Sequence, residues 1–301
     1  MTVARTMLDE RVSGSLGRIL AVASLSAREA FRSRSMLVAI ILNVLYLGFL
    51  AFLGFALGQS IGAEEAAFLN ADVAVRLFLT FALGGASALA LFTGVFGSVG
   101  SIAGEIERGT ILAVVARPID RWEIVAGKFI GHGALALTYL LAQGLVIGAA
   151  VAVLTGRWIG DLVPYLTLLG LNVLIMVGLA LAGSTRLSTV ANAICVVVLY
   201  LALTNTGILY FIGGMIEDRA IQAVADYSRF ILPVGPISDI AGEILAGPAV
   251  ALLTGGGAGA AEALGRDVIL PRRDWMWLYG VAYLVAMLVL AGWSLRRRDL
   301  R

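Results

Sequence analysis

Apolar residues run through this chain in long blocks separated by short polar connections. Blocks at about 36–57, 77–102, 129–154, 162–182, 189–214 and 275–295 approach or exceed the ~20 residues a helix needs to cross a bilayer. The pattern predicts an all-α polytopic membrane protein with six transmembrane helices. Ahead of the first block the period changes. From position 16 to 34, Leu16, Ile19, Leu20, Ala23, Ala27, Ala30 and Phe31 share one arc of a helix. Arg11, Arg18, Arg28, Glu29 and Arg32 fall opposite, with Leu25 as the exception. Such a helix either lies in the headgroup layer with its arginines on phosphates, or is a solvated extension leading into the first span. Residues 1–15 are polar and are expected to be weakly ordered. Two regions result: 1–35, the N-terminus with its interfacial helix, and 36–301, the six-span domain.

Composition agrees with the pattern. The chain is 60% hydrophobic and 14% charged, where a soluble domain carries about 25% charged residues. One cysteine, Cys195, and one histidine, His132, leave no disulfide framework and no Cys/His metal cluster within the chain. The first 35 residues lack a long apolar core followed by a small-residue cleavage site.

Charge then orients the blocks. With six spans, the N-terminus, the connections after the second and fourth spans and the tail share one side. That side holds 15 Lys and Arg against 7 on the other, and 8 acidic residues against 12. The positive-inside rule puts both termini in the cytoplasm. On the opposite side, the connection 215–274 contains apolar stretches at 219–232 and 237–253, interrupted by Pro233, Pro236 and Pro248. These read as short helices, re-entrant or lying on the outer face. The run 254–261, TGGGAGAA, reads as a flexible linker.

The densest polar stretch in the interior is 105–128, with eight charged residues in 24. Glu105, Glu107 and Arg108 would end the second span, and Gly109 would break it. Thr110 can cap a short helix over 111–116, containing Ile111 and Leu112, which Pro118 stops. Asp120 can cap the next helix, with Glu123 three residues on in capping-box spacing. The result is a helix–turn–helix elbow on the cytosolic face, or an ordinary well-capped loop anchored by its charge.

Candidate chemistry is sparse. The Gly127-Lys128 pair has Trp122 where a Walker A motif needs its first glycine. His132 reads as a packing or interfacial residue, and Cys195 as a small buried hydrophobe. Asn43, Gln143, Asn172 and Asn205 read as interhelical hydrogen-bonding groups, and Gly84/Ala88, Gly127/Gly131 and Gly144/Gly148 as close-packing pairs. No acidic or basic residue falls deep within a span, which argues against an ion-coupled transporter.

At the elbow the chain resembles the permease subunits of type-2 ABC exporters. The resemblance rests on Glu105-Ile106-Glu107-Arg108-Gly109-Thr110, then Arg117-Pro118-Ile119-Asp120-Arg121, then Gly127-Lys128-Phe129. The six spans, the amphipathic N-terminal helix and the broken outer connection extend it over nearly the whole chain. Within the family it is similar to the stand-alone permeases that include the nitrous-oxide-reductase maturation permease.

The resemblance implies a multi-pass subunit of a bacterial or archaeal cytoplasmic membrane, paired with a second copy or a paralogous permease. Separate ABC ATP-binding subunits would carry ATP and Mg, leaving this chain without cofactor, metal or catalytic residue, and with no nucleic-acid partner. Residues 111–116 would be the coupling helix. Glu105, Glu107, Arg108, Gly109, Thr110, Ile111, Leu112, Arg117, Pro118, Arg121 and Lys128 would dock the ATPase and couple to it. A membrane anchor that recruits a cytosolic protein without transport is the alternative, and a membrane-embedded enzyme ranks below both. The outer segment 215–274 is longer than in shorter family members, which leaves the build of the outer gate open.

Overall fold

The computed structural model describes residues 2–61, 71–109, 119–155, 160–204, 216, 219–246 and 273–298. Every regular element among them is a helix: α1 (Thr2–Phe31), α2 (Arg34–Ile61), α3 (Ala71–Ser98), α4 (Ala103–Glu107), α5 (Arg121–Thr155), α6 (Leu162–Ser184), α7 (Thr189–Thr204), α8 (Arg219–Ile231), α9 (Val234–Ala246) and α10 (Arg273–Arg296). Five stretches are long and apolar enough to cross a membrane: Arg34–Ala56, Val75–Glu107, Arg121–Leu154, Leu162–Ser184 and Trp275–Arg296. α7 is apolar but shorter, 16 residues, and positions 205–214 of the expected fifth span lie outside the described residues. The chain is an all-α, multi-pass membrane protein.

α6 is the axis of the bundle. Its most apolar stretch is 61% buried, against 11–33% for the other four, and Leu169, Val173, Met176 and Ala180 bring it into the core. α3, α5, α9 and α10 pack around it. Gly144 and Gly148 of α5 receive Leu166 and Leu162 of α6; a Cβ at Gly148 would fall 2.5 Å from the Leu162 side chain. The third expected pair differs. Gly84 faces open space, and it is Gly85 that lies against Tyr46, whose hydroxyl donates to Ala82 O at 2.7 Å.

α1 departs from expectation at its start, since the helix begins at Thr2 rather than near position 16. Met7, Leu8, Glu10 and Arg11 are good helix formers, and they extend a helix already fixed further on. That anchoring is against α5. A Cβ at Gly131 would fall 2.5 Å from Ala23 O, and one at Gly127 2.9 Å from Ile19 O, so the two backbones touch. Ala23, Ser26 and Ala30 are buried in this seam, while Leu16, Leu20, Leu25 and Phe31 stay exposed. Ser33 then turns the chain into α2: its hydroxyl donates to Ala30 O at 2.7 Å and accepts the Met36 N–H at 3.2 Å.

α8 and α9 form a hairpin that penetrates the bundle from the end opposite α4. At that end, Leu245 O accepts Arg76 Nη1 at 2.8 Å, and Arg76 lies 4.0 Å from Asp161. At the hairpin's tip, Val234 O accepts the Asn172 side-chain amide at 3.0 Å, beside the middle of α6. Pro236 does not interrupt α9, contrary to the expected start at 237. It sits in the first turn, where a missing N–H and a fixed φ cost nothing. Pro248 and the run 254–261 lie outside the described residues.

Candidate functional site

The elbow signature begins where α3 ends. The chain turns at 99–102, and α4 follows as a single further stretch of helix. Gly109 closes it with φ +71, a left-handed conformation that only glycine adopts freely. Thr110, Ile111, Leu112, Arg117 and Pro118 lie outside the described residues. The remaining members of the set are bonded to four different helices.

Glu105 accepts Lys128 Nζ at 2.7 Å, and the same ammonium donates to Ser101 O at 2.7 Å. Lys128 is 4% exposed, so this pair ties the turn after α3 to α5 from inside the protein. Glu107 reaches the start of α7, where its two oxygens accept the Thr189 N–H at 3.0 Å and the Thr189 hydroxyl at 3.2 Å. A carboxylate there satisfies an orphan helix donor and faces the positive end of the helix dipole. Arg108 donates to Gly104 O at 2.9 Å and reaches Glu29 at 3.9 Å, both side chains being well exposed. That second contact is a loose surface pair.

Arg121, the first residue of α5, gathers the other end of the chain. Its Nη1 donates to Leu295 O at 2.7 Å and to Arg296 O and Arg298 O at 3.0 Å each. A guanidinium on the last carbonyls of α10 is a charged C-terminal cap. Beside it, Arg298 donates to Thr185 O and Arg186 to Ser294 Oγ, closing the turn between α6 and α7 against α10.

Glu123 was legible only as part of a capping box, and half of that box forms: its carboxylate accepts the Asp120 N–H at 3.2 Å. The same carboxylate also accepts Arg18 Nε at 2.8 Å, Arg18 Nη2 at 2.7 Å and the Ser15 hydroxyl at 2.5 Å. The hydrogen bond to Glu123 raises the Arg18 guanidinium above its ordinary value. A bidentate arginine–carboxylate pair fixes orientation as well as distance, so α1 is locked to the first turn of α5. Glu107–Thr189, Arg121–Leu295 and Arg18–Glu123 link residues far apart in the chain, which no spacing rule could reveal.

His132 is 5% exposed with its ring beside Gly97, and among the described residues neither ring nitrogen is hydrogen-bonded. It packs. Cys195 is exposed, not buried as expected. α7 turns Asn192 and Val196 inward, and Cys195 sits at the flank of that face, exposed along with Val190, Ile194 and Val198. Among the buried amides, Asn172 and Asn192 bond across elements, Gln143 faces the Tyr139 hydroxyl one turn away, and among the described residues the Asn43 nitrogen has no hydrogen-bond partner. Asn205 lies outside the described residues. The hairpin also carries charge inward. Arg229, 1% exposed, lies 3.7 Å from Asp239 near the tip. Among the described residues no cluster of His, Cys, Asp or Glu could hold a metal.

The family profile of ABC-2 transporter proteins matches residues 20–300 of this chain. The chain belongs to the ABC-2 family. No curated protein matches it. An ABC-2 permease is the membrane component of a transporter, and the family normally works with an ABC ATP-binding subunit. The match spans α2 to α10 and the last part of α1, so the bonds of Glu105, Glu107 and Arg121, the Gly131–Ala23 contact and the inner hairpin lie within it, whereas Ser15, Arg18 and Ile19 precede it.

Proposed function

We propose that this ABC-2 permease is the translocating subunit of an ATP-driven exporter, whose elbow at 105–128 is the seat of a separate ATP-binding subunit. It crosses a bacterial or archaeal cytoplasmic membrane six times, α7 and the residues after it forming the fifth span, with both termini and the elbow in the cytoplasm. α1 lies along the inner surface, its exposed Leu16, Leu20, Leu25 and Phe31 in the acyl boundary. The α8–α9 hairpin is re-entrant from outside. Two copies, or this chain and a paralogue, form the pathway, and residues 36–301 act as one transmembrane unit. ATP and Mg bind the partner alone.

One observation carries this reading. From the two sides of the coupling segment, Glu105, Glu107, Arg121 and Glu123 reach α5, α7, α10 and α1 through direct hydrogen bonds. A displacement of the elbow thus pulls on four helices at once. In this reading Glu105, Glu107, Arg121 and Lys128 carry the motion of the ATPase to the spans, and Ile111, Leu112 and Arg117 dock it.

The test is co-purification with the ATP-binding subunit followed by ATP-dependent transport in proteoliposomes. Charge reversal at Arg117 is expected to reduce binding. Glu107→Gln is expected to leave binding intact and reduce transport. Full ATPase binding without any ATP-driven conformational change would favour the anchor alternative. A reporter fused within 255–260 and found in the cytoplasm would overturn the six-span topology.

A further inference from the structure

We propose that the cleft between α2 and α3 holds an acyl chain of an anionic phospholipid, whose headgroup is bound by Arg32 and Arg34. The cleft has a volume of about 460 Å³ and an almost wholly apolar lining that includes Val38, Leu42, Leu89, Phe92 and Phe96, with Ser35 at one end. It occupies the first two turns of α2 and the last turns of α3, which places it at the elbow end of the bundle. From Ser35 to Leu42 it extends about 10 Å along α2, within the depth of one leaflet. A cleft lined by leucine and phenylalanine does not retain ordered water, so its occupant is a hydrocarbon.

The mouth specifies what that hydrocarbon is attached to. Arg32 and Arg34 bracket Ser33 at the break between α1 and α2, and Arg28 lies one turn before them. All three are exposed, and among the described residues none of their side chains makes a hydrogen bond or ion pair. Nearby arginines are engaged: Arg18 holds Glu123, Arg108 holds Gly104 O, and Arg121 holds α10. Three free guanidiniums beside an apolar slot fit a molecule with an acyl chain below and a negative phosphate above. A second copy is a poorer occupant, because it would bring the same basic end against these arginines.

The full-length chain, reconstituted in nanodiscs of equal phosphatidylglycerol and phosphatidylcholine and re-extracted in mild detergent, is examined by native mass spectrometry for retained lipid. One phosphatidylglycerol per chain is expected. In the Arg32→Gln/Arg34→Gln variant its preference over phosphatidylcholine should fall roughly five-fold for each arginine removed. Val38→Trp, which fills the slot, should lose the retained lipid whatever its headgroup, with helicity and Tm unchanged. Retention of phosphatidylglycerol as in the unaltered chain by both variants overturns the proposal. So does a disulfide between copies of a Val38→Cys/Phe96→Cys/Cys195→Ser variant, since a second chain would then fill the cleft. Release of the lipid on ATP turnover with the partner ATPase would also overturn it, marking the molecule as cargo. The lipid count needs no ATPase, so it succeeds or fails independently of the proposed transport role.

Discussion

The Glu123 carboxylate takes two hydrogen bonds from the Arg18 guanidinium, at 2.7 and 2.8 Å, across 105 positions of sequence. Glu123 is 3% exposed, and its neighbour Asp120 donates a backbone N–H to the same group. Besides the pair, the Ser15 hydroxyl on the same carboxylate and the glycine seam hold α1 to α5 near the elbow. Glu123→Ala is expected to raise hydrogen exchange and tryptic cleavage over 15–28 while the rest of the bundle stays protected. The exchanged pair, Arg18→Glu with Glu123→Arg, should restore most of that protection. If it does not, the link is made by other contacts.

The buried Lys128–Glu105 pair responds differently to one substitution and to two. Glu105→Leu leaves the ammonium with Ser101 O as its one remaining partner among the described residues, and breaking a buried pair in this way costs about 3–5 kcal/mol. Glu105→Leu/Lys128→Met removes both charges and should recover most of that loss. Unfolding in detergent, followed by fluorescence or light scattering, measures both variants against the unaltered protein. A double variant as unstable as the single would show that the pair's geometry matters beyond its charge.

Two glycines drawn from similar small-residue pairs separate contact from composition. Gly131→Ala forces a Cβ against Ala23 O and should cost about 1–3 kcal/mol through overpacking. Gly84→Ala meets nothing within 4 Å and should be neutral or gain up to about 1 kcal/mol from helix propensity. Thermal midpoints of the two variants in the same detergent make the comparison.

Asn172 holds the hairpin tip through Val234 O at 3.0 Å and Ser238 Oγ at 2.9 Å. Asn172→Leu should cost roughly 1 kcal/mol per bond lost and accelerate hydrogen exchange at 232–238. Exchange unchanged in those residues would mean that apolar packing of Ile237 and Leu245 alone seats the hairpin.

Helices whose identity lies in their own composition were legible beforehand. α6 and α10 begin and end within two residues of the expected fourth and sixth spans, because an unbroken apolar run is a local property. α5 starts eight residues before its expected span. The capping-box spacing of Asp120 and Glu123 marks that helix start, but the bonds of Arg121, Glu123 and Lys128 to the α10 carbonyls, Arg18 and Glu105 stay hidden because their partners lie far away in sequence. The same cause hid the role of the elbow residues. Glu107 reads as surface charge until Thr189 is beside it, 82 positions away. Cys195 was misplaced because an apolar neighbourhood in sequence implies burial only in water. In a membrane chain it equally marks the lipid-facing arc of a helix. Arg229 and Asp239 reach inward on a segment that is not itself a span, so the charges within the spans give no sign of them.

The backbone contact between α1 and α5 has a mechanical consequence. Helices separated by side chains can slide or roll as rotamers change, whereas Gly131 against Ala23 leaves no side chain in between to absorb strain. α5, with 35 residues, and the α1 seam then move as one stiff beam about 52 Å long. A tilt of about 5° at its elbow end swings the far end through roughly 4–5 Å at that length. Leverage of this kind lets a small rotation near Arg121 become a displacement large enough to part side chains at the opposite face.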